Sequence, residues 1–200
     1  YTLWDLDNTF NHGANYTGIA DQSFESNICD LDTLGDIGGQ GHIPIWNKLM
    51  LNNNFFESYI NRFSYLNDTY LSCDFLLNHL DSMINIIEPE MPAQILRWGG
   101  NIETWNQNVQ ELINFISNRC NNINNNILNC YDDQLSNYHN LTIISNIQNN
   151  GEIYLNNNYI INLPSLNTCF ENINQNIEII TNLNFDIDSL YFLNNTTISI

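Results

Sequence analysis

Two acidic residues near the start of the sequence, Asp5 and Asp7, have the types and the spacing of a metal site. They follow a short apolar stretch that predicts a β-strand, and residues two apart on a strand point to the same face. Carboxylates held so close together repel each other unless a cation lies between them, and hard cations such as Mg²⁺ prefer oxygen ligands. The pair therefore predicts a magnesium site that binds phosphate, and the structural alternative is an acidic turn at the end of a strand.

The residues after this pair must form the framework that positions it. Residues 11–42 are rich in Gly, Asn and Asp and predict a long ordered loop, a type of segment that is usually functional in compact domains. From residue 45 to residue 128, apolar side chains recur at helical spacing, which predicts consecutive helices. The loop is thus expected to border the acidic pair, and the helices to support it.

Local signals divide the helical region into separate helices. Pro89 ends one helix, because proline disfavours helical geometry in the residue before it, and Pro92 starts a short helix that Gly99 closes. The last and most regular helix then begins with Asn101 or Thr104 as its cap.

The hydrophobic pattern changes near residue 138, where the period shortens from about 3.6 residues to about 2 and predicts β-strands. We therefore predict an α+β fold. A mainly helical domain is expected over residues 1–137, and a small β-rich domain over residues 138–200.

Composition argues against several classes of partner. The chain has 22 acidic residues against four Lys and Arg, and its net charge of −18 repels nucleic acid and anionic membranes. No apolar run approaches the ~20 residues that a spanning helix needs, so no membrane insertion is expected. The arginines Arg62, Arg97 and Arg119 lie on or beside predicted helices. Each is expected to be partly buried against an acidic or carbonyl partner, and Trp98 is expected to lie in the core.

The five cysteines show no Cys-x-x-Cys pair and no histidine at zinc-ligand spacing, which argues against a structural zinc site. This density of cysteine is typical of an oxidising compartment. One or two disulfides with an odd thiol left over are expected, and the pairing stays open.

The acidic pair also resembles the first motif of haloacid-dehalogenase-type phosphatases, in which the first Asp is a nucleophile and the second a general acid and base. That resemblance implies alternating strands and helices, a downstream Lys and a second acidic motif. Here consecutive helices are predicted instead, the chain has a single Lys at Lys48, and Asp132-Asp133 follows the long helix without a strand before it. The phosphatase resemblance is therefore the weaker of two.

A second resemblance extends over residues 1–130 and is carried by several separate segments. These are Trp4–Phe10, Gly38–Ile45, Phe56 with Tyr59 and Arg62, Ile87–Pro92, Arg97–Gly100, Trp105 and Arg119. In order and spacing they resemble the C-terminal half of CotH-family kinase domains, the atypical protein-kinase-like proteins that include spore coat proteins and occur as modules of secreted proteins. Cys130-Tyr131 is similar to a junction that leads into a β domain in secreted members.

This resemblance implies that residues 1–137 are the helical, C-lobe-like portion of an atypical kinase domain. Asp5 would be the ligand that holds Mg²⁺ against the phosphates of ATP, and Asp7 a second ligand or an orienting group. The lobe that holds the nucleotide, with its Lys, and the catalytic-loop residues would lie upstream of Tyr1, so no catalytic residue is assigned within this chain. The partners implied for the complete protein are ATP and a protein substrate.

The sequence thus supports a functional hypothesis with one main rival. The chain is expected to be a portion of a secreted or cell-surface kinase that transfers phosphate from ATP to protein Ser or Thr, inactive as this segment alone. The rival is a non-catalytic adhesion or assembly module that keeps the kinase-like fold. The paired acids favour the enzyme, because a scaffold has no need to maintain them.

Overall fold

The computed structural model of the chain describes residues 23–29, 42–143, 151–160, 165–175 and 177–181. Its helices are α1 (His42–Met50), α2 (Asn53–Asp68), α3 (Cys73–Ile87), α4 (Met91–Trp98) and α5 (Ile102–Cys130), with a 3₁₀ turn at Glu88–Glu90. Its strands are β1 (Tyr138–Ile143), β2 (Gly151–Leu155), β3 (Asn158–Tyr159), β4 (Ser165–Phe170) and β5 (Ile177–Thr181). The predicted α+β fold, with helices before strands, is confirmed.

Side chains of polar residues begin three of the helices. The Oδ1 of Asn52 accepts a hydrogen bond from the Phe55 amide at 3.1 Å at the start of α2. At the start of α5, Asn101 Oδ1 accepts from the Thr104 amide at 2.7 Å. Such caps satisfy amides that have no partner within the helix. Of the two caps predicted for α5, Asn101 is therefore the one used, while Ser72 has the same role in α3.

The short helix α4 ends where the sequence predicts. Its C-cap is Gly99, with φ of +84°, and Gly100 follows with φ of +104°. Side chains rarely adopt such angles, which glycine tolerates because it has no Cβ. The Gly99 amide donates to the carbonyl of Ile95 at 2.8 Å and completes the last turn.

The described residues form two compact units. The first contains Tyr70–Cys130 and the segment 23–29, and the second contains Pro44–Thr69 and the described residues from Tyr131 onward. The domain boundary inferred near residue 138 stays a prediction. None of the described helices is long and apolar enough to cross a membrane.

In the first unit, α3 and α4 both pack against α5. Ile116, Ile123 and Ile127 of α5 are buried, as the apolar period predicts. The structure describes every residue of α3 and α4, and none of them is fully buried. Trp98 is 69% exposed, so the expectation that it lies in the core is wrong. Trp98 is the last residue of the short helix α4, beside its closing glycines, and none of the described residues of α4 is fully buried.

In the second unit, α2 packs against β4 and contributes the buried side chains Phe56 and Ile60. β4 pairs antiparallel with β1, and a second antiparallel sheet has the order β3-β2-β5. Asn156 and Asn157, with φ of +52° and +63°, form the tight turn between β2 and β3. Helix α2 therefore belongs to the packed layer of the strands that follow it by about a hundred residues, as its hydrogen bonds to β4 show.

Candidate functional site

The predicted metal ligands Asp5 and Asp7 lie outside the described residues. Most of the predicted loop 11–42 lies outside them too, and its segment 23–29 is described. Within the ranges that the structure describes, no group of three or more His, Cys, Asp or Glu side chains could hold a metal ion. The magnesium site at Asp5 and Asp7 therefore stays a prediction, and the described site residues are those that anchor the loop.

Arg119 in the middle of α5 holds segment 23–29 through backbone carbonyls. Its guanidinium donates to the carbonyl of Phe24 at 3.1 Å and also to the carbonyl of Ser26. The side-chain amide of Asn126, two turns further along α5, donates to the same Ser26 carbonyl at 3.3 Å. Hydrogen bonds from a charged donor are about twice as strong as neutral ones. The predicted packing role of Arg119, with carbonyl partners and partial burial, is confirmed.

A disulfide between Cys29 and Cys130 fixes the end of the same segment to the last residue of α5. Their Cα atoms are 5.6 Å apart, and the Cys29 amide also donates to Cys130 Sγ at 3.1 Å. Cys73, Cys120 and Cys169 are free. The sequence leaves this pairing open, because the two residues are 101 positions apart and no local pattern connects them.

The other two arginines are themselves exposed, and each has a partner. Arg62 is exposed, donates to Asn158 Oδ1 at 2.7 Å and lies 5.0 Å above the ring of Tyr65. Arg97 is exposed, with its guanidinium carbon 5.0 Å from the centre of the Trp98 ring. The predicted burial is therefore wrong for Arg62 and Arg97. An aromatic face or an amide oxygen satisfies a guanidinium without requiring it to leave solvent.

A polar cluster in the second unit joins the end of α2 to β4. The carboxylate of Asp68 accepts hydrogen bonds from both the backbone amide and the hydroxyl of Thr168. Burial raises the pKa of Asp68, and the two hydrogen bonds from Thr168 lower it by less. Burial, with a smaller contribution from the charge of Asp68, raises the pKa of the neighbouring Cys169 thiol to about 11. Sequence reasoning missed this cluster, because its two halves are 100 residues apart.

A small polar cavity lies beside Asp68. It is lined by Asn61, Ser64, Tyr65, Asp68, Leu155, Asn156, Asn158, Asn167 and Thr168. Its volume of about 10 Å³ has room for one water molecule. The buried hydroxyl of Ser64, on its wall, has no hydrogen-bond partner among the described residues. Pockets for drug-sized ligands measure ~300–1,000 Å³, so this cavity is too small to hold a nucleotide.

Ser136, His139 and Glu171 also meet on the surface of the second unit. Glu171 accepts from the Ser136 hydroxyl at 2.5 Å and contacts His139 Nε2 at 2.6 Å, and both contacts lower the pKa of its carboxyl. In a hydrolase triad the imidazole lies between the hydroxyl and the carboxylate, because it must take the hydroxyl proton. Here the carboxylate lies between the other two groups, so the cluster lacks the order of a triad and is a set of surface hydrogen bonds to Glu171.

Removing the Asp68 carboxylate should destabilise the second unit. In the Asp68→Ala variant the amide of Thr168 loses its acceptor in a partly buried site, which should lower the free energy of unfolding by about 2 kcal/mol. Asp68→Asn is the matched control, because it keeps one acceptor oxygen and should lose less. Urea unfolding followed by circular dichroism measures both, and equal losses would show that the acceptor oxygen kept in Asp68→Asn contributes nothing.

Wild-type protein and the Asp68→Asn variant together test the raised pKa of Asp68. Its folded-state pKa lies above the ordinary value of 3.8, so the folded protein holds this proton more tightly than the unfolded chain. The contribution of Asp68 to stability should therefore fall as pH rises from about 3.8 through the folded-state pKa, and then stay constant. Asp68→Asn should lack this fall. Parallel pH profiles for the two proteins would contradict the raised pKa.

The comparison with known families covers α1 to α4 and most of α5, including Arg119, and ends before Asn126 and Cys130. The family model of CotH kinase proteins matches residues 1–123, more than half of the 200 residues. This match places the chain among kinase-like proteins. The chain belongs to the CotH kinase protein family. No curated protein and no solved structure matches it.

Proposed function

We propose that this chain is part of a secreted protein kinase that transfers phosphate from ATP to Ser or Thr residues of a protein substrate with Mg²⁺. The observation that carries the proposal is the family match over residues 1–123, which includes the motif Trp4–Phe10 and its two carboxylates. A kinase-like family implies a nucleotide and a protein substrate as partners.

The residues of the motif fit a magnesium ion by the chemistry of their donors. Asp5 and Asp7 offer carboxylate oxygens, the ligand type that Mg²⁺ prefers, and on the strand predicted from the sequence their spacing would direct both to one face. Asp5 is the proposed ligand, and Asp7 is a second ligand or orients the first. Bound magnesium would neutralise charge on the phosphates of ATP, which is the main requirement of phosphoryl transfer.

Contacts of the described residues support this proposal, because they hold part of the predicted loop in place. The loop that follows the acidic motif has fixed points on α5, at Ser26 through Arg119 and Asn126 and at Cys29 through its disulfide. A loop anchored in this way loses less conformational freedom when it contacts a ligand. Because the motif and the anchored loop both lie within the family match, we assign the loop a role in positioning the phosphate site.

The test uses the full-length protein that contains this chain. With radiolabelled ATP and Mg²⁺ it should label protein Ser or Thr residues, and a chelator in excess of magnesium should abolish the labelling. The 200-residue chain alone should label nothing, since two carboxylates supply only part of an octahedral magnesium shell.

Two outcomes would contradict the proposal. Labelling by the chain alone would show that the activity does not depend on a lobe outside it. Full-length protein that binds no nucleotide and labels no substrate would instead support the non-catalytic adhesion or assembly module.

A further inference from the structure

Asn140 lies on strand β1 and is the first residue of the sequon Asn140-Leu141-Thr142. A sequon Asn-x-Ser/Thr is the acceptor for N-linked glycans in secreted proteins. Asn140 is exposed to solvent, and its backbone is extended because it belongs to a strand. A side chain in this position has room for a bulky group on the solvent side of the protein.

The other sequon within the described residues, Asn67-Asp68-Thr69, lies at the end of helix α2. All three of its residues are half-buried. The Asp68 carboxylate is hydrogen-bonded to Thr168 of β4. The Thr69 hydroxyl donates to the carbonyl of Tyr65 at 2.6 Å. A glycan on Asn67 would stand beside this packed junction, so we expect the folded protein to carry none there.

The Cys29–Cys130 disulfide is typical of the compartment in which such glycans are added. Disulfides form and persist in the lumen of the secretory pathway and outside the cell, and they are rare in the cytosol. In eukaryotic cells the same lumen contains the transferase that modifies sequons. The disulfide is therefore an observation, independent of the sequon, that favours glycosylation of this chain.

Strand β1 also has an edge that a glycan would cover. Within the part of the chain that the structure describes, β1 pairs with β4 and with no other strand. The opposite edge of β1 is thus a template for pairing with another chain, a hazard that natural proteins reduce with charged residues, with proline or with a cover. Tyr138–Ile143 contains no Asp, Glu, Lys, Arg or Pro, so this strand needs a cover of another kind.

We propose that Asn140 carries an N-linked glycan when the protein is secreted from a eukaryotic cell, and that this glycan covers the open edge of β1. The inference rests on the secretion in the proposed function and does not depend on kinase chemistry. In the transfer step, the side-chain amide nitrogen of Asn140 bonds to C1 of the first sugar of a lipid-linked oligosaccharide. The bond from C1 to the lipid diphosphate breaks, the diphosphate leaves with its electron pair, and the amide loses one proton. No oxidant or reductant is needed.

The test maps glycans in full-length protein that yeast cells secrete into the medium. Peptide-N-glycosidase removes N-linked glycans and converts each acceptor Asn to Asp, so mass spectrometry of the digested protein measures each sequon separately. Asn140 should be found as Asp and Asn67 as Asn, and an untreated sample corrects for spontaneous deamidation. The sequons at Asn15, Asn194 and Asn195 lie outside the described residues, and this measurement keeps them apart from Asn140.

Variants separate the sequon from the asparagine itself. Asn140→Gln and Thr142→Ala should each lose one glycan on a denaturing gel, whereas Thr142→Ser keeps the sequon and should run as wild type. Secreted wild-type protein with an unmodified Asn140, or with a glycan at Asn67 in its place, would overturn the proposal. Phosphate transfer by the same protein is measured separately, so failure of the kinase proposal would not be mistaken for failure of this one.

Self-association tests the role of the glycan at the edge. An uncovered strand edge can pair with a second copy of the chain. At equal concentration, Asn140→Gln and Thr142→Ala should therefore scatter more light than glycosylated wild-type protein, and Thr142→Ser should scatter as wild type does. Equal scattering by all four proteins would show that the glycan does not protect this edge.

Discussion

The Asp5→Ala variant of the full-length protein should transfer phosphate roughly 100- to 1,000-fold more slowly than wild type. Catalysis of phosphoryl transfer rests on positioning and on neutralising charge, and Asp5 is the proposed ligand of the ion that does both. The fold should be retained, because removal of one acid from a crowded pair relieves repulsion. Labelling of substrate by ATP and Mg²⁺, with circular dichroism to check the fold, measures the effect.

Asp132→Ala is the matched control for this variant. Asp132 is also one of two nearby acids, but it is exposed and lies beyond the matched residues 1–123. Its replacement removes the same charge from the chain and should leave the rate unchanged. Asp7→Ala should also slow transfer, as a second ligand or an orienting group. Unchanged labelling in Asp5→Ala would exclude Asp5 as the magnesium ligand.

Loss of the Cys29–Cys130 disulfide should lower the free energy of unfolding of the first unit by about 4 kcal/mol. A cross-link stabilises mainly by restricting the unfolded chain, and a loop of about 100 residues lies near the upper end of that effect. The double variant Cys29→Ser/Cys130→Ser should also lose hydrogen-exchange protection in segment 23–29, with Arg119 and Asn126 remaining as its partners on α5. Urea unfolding near pH 5, where thiol exchange is slow, measures the free energy.

The single variants separate the cross-link from side-chain packing. Either Cys29→Ser or Cys130→Ser already breaks the bond, so each should cost as much as the double variant. Two smaller losses that add up in the double variant would show that each cysteine stabilises the unit through its own contacts, and that the bond itself contributes little.

Features that depend on a few neighbouring residues were predictable from the sequence. Asn101 as the cap of α5 and Gly99 as the end of α4 are local preferences of the backbone, and both are confirmed. The apolar period placed Ile116 and Ile127 on the buried side of α5. The family resemblance rested on separate segments in a fixed order, and it is confirmed over residues 1–123.

Features that join distant residues were not predictable. Nothing local pairs Cys29 with Cys130 or Asp68 with Thr168. No apolar alternation marks the position of strand β4, because its interior contains the buried polar residues Asn167 and Thr168. Asparagine and threonine are tolerated there because neighbouring groups satisfy them, as the Asp68 carboxylate does for Thr168.

The same limit applies to the candidate site. Spacing alone singled out Asp5 and Asp7, since two carboxylates on one face of a strand carry their chemistry in their sequence positions. The anchor of the neighbouring loop depends on Arg119, Asn126 and Cys130, a turn or more apart on α5, meeting a segment from the other end of the chain. Periodicity shows which face of a helix is apolar, but it does not identify the segment that will lie against it.

When the chain is pulled, the bond between Cys29 and Cys130 transmits the force directly between these two residues. Tension applied to the chain outside this pair would pass across the 5.6 Å between their Cα atoms, and the residues between them would carry no load. Fully extended, those residues would span roughly 330–360 Å. The intact bond prevents the segment from being pulled out to this length. A protein pulled at a surface would thus keep the segment between Cys29 and Cys130, with helices α1 to α5, free of the tension that stretches the chain outside it.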